Sequence, residues 1–205
     1  MGGRGMSMFP IIFDPDRWVR VPTDWADEQW SDAAEWAEWV ADELTHDRAS
    51  AAAYVGALRD QATAIATFPN EHVSARFWFF PIDGDPSGWV DVFVQRRDID
   101  GADAASLLPP VGVTLIEPAV LELEDVAFES AVRRLTLSPI DEQPGEVPPG
   151  ILAKGEWSAV TGEWAVYLVS IDGDPRVLTR RLADIDRLLG GIEPAVLAAL
   201  PEASA

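Results

Sequence analysis

Carboxylates dominate the groups in this chain that could do chemistry: 35 Asp and Glu stand against 15 Lys and Arg, with two histidines and no cysteine. Without thiols there is no disulfide framework, no thiolate nucleophile and no thiolate metal ligand, so stability has to come from packing. His46 and His72 belong to no His-Glu-x-x-His or similar spacing and point to no metal site. Two identical stretches, Ile82-Asp83-Gly84-Asp85-Pro86 and Ile171-Asp172-Gly173-Asp174-Pro175, each bring two carboxylates close together, as a calcium loop does. Both lack the further oxygen ligands at regular spacing that calcium requires, and read instead as strand-end turns. Their flanks do not match, so shared turn chemistry explains them better than a duplicated half-domain.

Glu122 and Glu124 fall on one face of a predicted strand. Paired carboxylates cleave glycosides only at a defined separation across a sugar cleft, and solvated edge charge is the simpler reading. A serine hydrolase needs a Gly-x-Ser-x-Gly elbow between strand and helix. The nearest string, Gly84-Asp85-Pro86-Ser87-Gly88, has the wrong spacing and lies in a predicted hairpin. Phosphate-cradling glycine loops are missing as well, and no cofactor is expected.

The arginines are the more informative cations. Strand alternation sends one member of each pair Arg96-Arg97 and Arg133-Arg134 to each face of a sheet, with Arg76 nearby. They either form an anion-binding patch or are neutralised by the surplus of Asp and Glu, and that surplus favours neutralisation. If a small-molecule site exists, its expected residues are Arg97 and Arg134 beside Trp89 and Trp157.

Those side chains must be held by packed elements, and 205 residues with 48% hydrophobic content suffice for a core. Two apolar runs, Phe77 to Ile82 and Trp89 to Val94, flank a turn-rich segment and predict an antiparallel hairpin at the centre of a sheet. Ahead of it, Phe9 to Phe13 and Trp18 to Val21 read as short strands. Thr23 or Asp24 then reads as the N-cap of a helix running from Trp25 to about Leu44. Its face would bury Trp25, Trp36 and Trp39. A sugar or aromatic-ligand platform is the alternative use of those indoles. A second helix is expected from Arg48 to about Phe68, stopped by Pro69.

After the hairpin, Asp98 to Pro110 reads as a loop. Gly112 to Glu117, Val120 to Glu124 and the alternating Val126 to Leu137 read as strands, and Ser138 to Gly150 as a proline-rich surface loop. A second hairpin, Ile151 to Ile171, turns at Thr161-Gly162. A last helix opens with Asp174 as N-cap and Pro175 at its first position, buries Leu178, Leu182, Ile185 and Leu189, and ends at Gly190-Gly191. The expected fold is α+β: an antiparallel sheet of about six to eight strands against three main helices, two N-terminal and one C-terminal. It forms a single domain over residues 9–192, between a mobile 1–8 terminus and a 193–205 tail.

The strand ending Ala131-Val132-Arg133-Arg134-Leu135-Thr136-Leu137, the hairpin Trp157 to Ile171 and the helix Pro175 to Leu189 resemble, over roughly the last 80 residues, the Mog1/PsbP-like α/β sandwich of small actinobacterial proteins. The resemblance implies a binding or accessory module with few shared catalytic residues. A formal charge of -20 and a pI near 4.2 argue independently against nucleic acid and anionic membrane surfaces. No run approaches the length of a membrane span. The resulting expectation is a non-catalytic cytoplasmic protein whose acidic surface, with the 138–150 loop, meets a basic protein partner. The alternative is an anion- or sugar-binding protein or hydrolase.

Overall fold

The computed structural model describes residues 11–26, 28–46, 53–69, 71–97, 101–140 and 150–198. In chain order these form β1 (Trp18–Val21), α1 (Ala33–Thr45), α2 (Val55–Thr67), β2 (Ala75–Phe79), β3 (Trp89–Arg96), β4 (Ala119–Glu122), β5 (Ser130–Pro139), β6 (Ile151–Thr161), β7 (Trp164–Asp172), α3 (Pro175–Gly190) and α4 (Pro194–Ala198). The expected mobile terminus at 1–8, Phe9, the helix start at Arg48, residues 141–149 of the expected loop and the end of the tail lie outside the described residues.

Aromatic and β-branched residues on both sides of a turn build the central hairpin as the alternation predicts. β2 and β3 pair antiparallel with Phe77 opposite Val90 and Ala75 opposite Val92. The sheet has seven strands in the order β1-β2-β3-β7-β6-β5-β4, every neighbouring pair antiparallel. Gly162, at φ 52°, supplies the left-handed residue of the β6–β7 turn. The α+β class with about seven strands and three substantial helices is therefore as expected.

Each face of the sheet has its own cover. Phe77, Val92, Leu168 and Trp157 share one face and pack against Leu178, Leu182, Ile185, Leu188 and Leu189 of α3. Burying each such side chain contributes about 1.5–3 kcal/mol before entropy. Asp174 caps α3 by accepting from the Arg176 amide at 2.8 Å, and the Gly191 amide donates to the Arg187 carbonyl at 2.9 Å at its far end. Leu197 on α4 is fully buried in this core, so packing continues to the end of that helix. On the other face Trp78 and Phe80 pack with Trp36, Val40, Leu58 and Ile65 of α1 and α2.

Four expected elements differ. α1 starts at Ala33 rather than Trp25, because Asp24 accepts from the Ala26 amide two residues on, a turn rather than a helical cap. Asp32 then caps the Ala34 and Glu35 amides at 2.9 and 3.0 Å. Trp25 is left ahead of the helix and half-buried. Within α1 the buried face centres between Val40 and Ala37, and Trp39 lies about 130° round from it at 100° per residue. Trp36 is accordingly 1% exposed and Trp39 44%.

The strand expected at Gly112 to Glu117 does not form. Its ends carry Pro109, Pro110 and Pro118, which have no donor to give a ladder, and Leu115 makes a single amide bond to the Leu137 carbonyl at 2.7 Å. β5 starts at Ser130 rather than Val126. The Leu123 amide already donates to the Ala131 carbonyl, so the residues between them must reverse the chain. At the N-terminal end, Ile11 makes one isolated bridge with Ile192 instead of a strand.

One buried side chain ties the second layer to the sheet. Arg76, on β2, forms a bidentate pair with Asp91 of β3 at 2.5 and 3.0 Å and donates to the Ile65, Phe68 and Pro69 carbonyls at 2.8, 2.9 and 3.0 Å. All five guanidinium donors are met, and the carbonyl end of α2 receives the positive charge its dipole favours. Arg76→Met strands Asp91 as an unpaired buried charge and should lower stability in urea unfolding by about 3–5 kcal/mol; adding Asp91→Leu should recover part of the loss. In the same assay Trp36→Ala should cost about 3–5 kcal/mol and Trp39→Ala under about 1 kcal/mol.

Candidate functional site

The four residues expected at a small-molecule site are placed apart. Arg134 projects from β5 to the α1/α2 side of the sheet, where it donates to Glu156 at 2.7 and 3.0 Å and to the Pro109 carbonyl at 2.7 Å. Trp157 stands on the α3 side, wholly buried, with its indole N–H donating to Asp186 at 2.6 Å. Trp89 begins β3 and packs against Phe68, with ring centroids 5.1 Å apart, under the Arg76 guanidinium. Arg97 follows β3 and donates to the Ala102 carbonyl at 2.8 Å and to the Gly162 carbonyl. Both arginines are thus directed to acceptors within the chain.

The same holds for the other charged clusters. Arg133 pairs with Asp186 at 2.5 Å and Arg181 with Asp172 at 2.7 Å. Asp184, nearly buried, accepts from Arg17 and Arg187, each at 2.8 Å. Asp184 and Arg187 border a cleft of about 400 Å³ between the Ile12–Trp18 segment and the second half of α3. Of the two Asp-Gly-Asp turns, one sends Asp83 to Arg17 and the other sends Asp172 to Arg181 and uses Asp174 as the α3 cap. Among the described residues no three His, Asp or Glu side chains gather into a group able to hold a metal ion.

Glu156, wholly buried, is the centre of a polar cluster. It accepts from Arg134, from Lys154 at 3.0 Å and from the Tyr167 hydroxyl at 2.7 Å. Burial opposes its ionisation, but the hydrogen bonds from Tyr167, Arg134 and Lys154 together outweigh burial and hold its pKa below the usual carboxylate value. Burial first, and the Glu156 carboxylate second, push the Tyr167 phenol far above its ordinary value. The set joins β5, β6 and β7 across one face of the sheet and directs its donors inward.

A different arrangement stands at the surface. Trp30, in the turn before α1, and Trp39, on α1, pack in a tilted pair with ring centroids 4.7 Å apart and planes at 47°. With Gln29, Glu35 and Glu38 they line an open groove of about 340 Å³. Glu35 is locked by the Ser31 amide and hydroxyl, both at 2.7 Å, and these two bonds depress its pKa, the amide more strongly. Indole faces beside the held Glu35 carboxylate and that of Glu38 present two attractions for a cation: ring quadrupole and net negative charge. Of these residues the sequence offers only Trp39 as part of a site, in the alternative sugar or aromatic-ligand platform with Trp25 and Trp36. The tryptophan spacing was visible, but a helix begun at Trp25 sends Trp39 to the core instead of to the groove.

No protein-family model, curated protein or solved structure matches this chain.

The Glu156 cluster carries a pH signature. Its carboxylate has a folded pKa below its ordinary 4.5, so in the interval between the two values the unfolded chain holds more protons than the folded one. Stability therefore rises with pH across that interval and is lost as pH falls through it. Urea unfolding of the wild type should show this loss below pH 4.5. Glu156→Gln, weaker at neutral pH by about 2–4 kcal/mol, should show a flatter acid limb.

Proposed function

We propose that this protein is a non-catalytic binding or accessory module whose acidic exterior receives a basic protein partner, with the Trp30–Trp39 groove as a seat for one of the partner's Arg or Lys side chains. The observation that carries the reading is the groove itself: two indoles in tilted contact, one of them 44% exposed, walled by Glu35 and Glu38 on a chain of net charge -20. A guanidinium held over an indole gains about 0.5–1 kcal/mol at an exposed site. The surrounding negative field raises the encounter rate and makes it sensitive to salt. The Mog1/PsbP-like resemblance of the last 80 residues supports the same reading, since such domains serve mostly as binding or accessory modules. We place the protein in the cytoplasm as part of this proposal.

The internal pairing of the arginines supports this reading over an anion- or sugar-binding pocket. Arg97 and Arg134 face chain carbonyls and Glu156, while Trp157 lies across the sheet from Arg134. Among the described residues no helix is long and apolar enough to cross a membrane.

Titration of an arginine-rich peptide, followed by indole fluorescence and calorimetry, tests the proposal. The peptide should bind in dilute buffer and weaken as salt rises to about 0.15 M, while a glutamate-rich control should not bind. Trp39→Ala and Glu38→Gln should each weaken binding by about 0.5–1 kcal/mol, that is, roughly two- to sixfold, with the fold intact by circular dichroism. Equal affinity for wild type and both variants would remove the groove from the proposal. Failure of the arginine-rich peptide to bind in dilute buffer would remove the basic partner.

A further inference from the structure

Exposed apolar side chains concentrate at one edge of the sheet. Val111, Val113, Leu115, Ile116, Val120 and Leu121 all stand in solvent within eleven residues, Val113 at 78% exposure, Val120 at 56% and Leu121 at 51%. A hydrophobic surface that gathers in one place marks an interaction site more often than scattered exposed residues do. β4 carries the last two residues of this stretch and is the end strand of the sheet, with β5 its one neighbour among the described residues.

The register shows which backbone groups of β4 are free to pair. Leu123 donates to Ala131, and Leu121 and Ala119 stand opposite Arg133 and Leu135. Antiparallel strands alternate bonded and non-bonded pairs, so Ala119, Leu121 and Leu123 direct their amides and carbonyls to β5. Val120 and Glu122 direct theirs away from the sheet. The outer edge thus offers donors and acceptors at strand spacing, beside apolar side chains on both faces.

Charge decides between occupants. Glu117, Glu122, Glu124 and Asp125 are all exposed along this short stretch, and none pairs with a cation among the described residues. A second copy of the chain laid on this edge brings the same carboxylates against their own images, within about one Debye length of 8–10 Å. An extended segment carrying Arg or Lys meets them with opposite sign.

We infer that β4 is a docking edge for an extended basic segment of the partner, which joins the sheet as an eighth strand. Its main chain bonds Val120 and Glu122, its apolar side chains cover Val120 and Leu121, and its cations face Glu117, Glu122 and Glu124. This is strand addition, in which main-chain bonds supply affinity and alternate side chains supply selection. The inference rests on the proposed basic partner for the sign of the segment's charge, and not on the tryptophan groove.

The test uses the full chain and a peptide of about eight residues built from Arg, Val and Thr, strand length for a globular sheet. Its twin has the amides along one edge N-methylated, which keeps charge and composition but removes one set of strand donors. Amide exchange resolved by residue should show the Val120 and Glu122 amides slowed tenfold or more by the first peptide and not by its twin. Val120→Pro removes an outward donor without touching a bond to β5, and should weaken binding at least tenfold; Glu122→Lys, which keeps the backbone intact, should do the same. Equal binding of both peptides, or binding with no protection at Val120 and Glu122, overturns strand addition and leaves the basic-partner reading standing. Absence of binding by either peptide overturns both. A dimer of the chain alone that Val120→Pro dissolves assigns the edge to a second copy, and overturns the inference.

Discussion

A guanidinium enters a protein interior only where its donors are met, and at Arg76 that requirement organises two layers at once. Asp91 answers it from across the central hairpin, and the last carbonyls of α2 answer it from above. The contact that joins β2 to β3 therefore also sets where α2 ends and how it lies on the sheet. Trp36, Val40 and Ile65 then have a defined surface to cover. A lysine here has three donors on a point charge and cannot reach all five acceptors.

The same requirement recurs on β5, β6 and β7, with a consequence for the outside of the molecule. Arg134, Lys154 and Tyr167 converge on Glu156, and Arg181 reaches from α3 to Asp172 and the carbonyls of Ser87 and Ile171. Gly88, at φ 58°, leaves room for the Arg181 guanidinium, whose atoms a Cβ there would meet at 2.8–2.9 Å. With 15 cations against 35 carboxylates, each one-to-one pair taken inside leaves the surplus of negative charge, -20 in all, on the exterior. Buried pairing and an acidic surface are two results of one composition.

Both surface features proposed for binding come from the limits of the regular elements. α1 begins only where Asp32 can cap it, so its first turns present Trp39 and Glu38 beside the preceding loop and Trp30 rather than to the sheet. The sheet ends at β4, whose outer edge pairs with no described strand. In each place apolar surface stays in water beside carboxylates. Aromatic and aliphatic area next to fixed negative charge suits a partner that is basic and partly apolar.

Local patterns along the chain were enough for the strands of both hairpins, the glycine turn at Gly162, the cap and buried face of α3, and hence the α+β class. In these segments hydrophobic period, turn residues and capping groups lie within a few positions of one another, and neighbours in sequence are neighbours in space. The start of α1 was less legible, since Asp24 and Asp32 both offer a capping carboxylate and which amides each reaches depends on the bend between them. The arginines lay further out of reach: Arg76 with Asp91, Arg134 with Glu156 and Arg17 with Asp184 join residues 15, 22 and 167 positions apart. Only the order of strands and the seating of helices brings those charges together, and with them the choice between an open anion site and a closed ion pair. The Trp30–Trp39 groove and the bare edge of β4 were decided the same way, by what the folded layers leave uncovered.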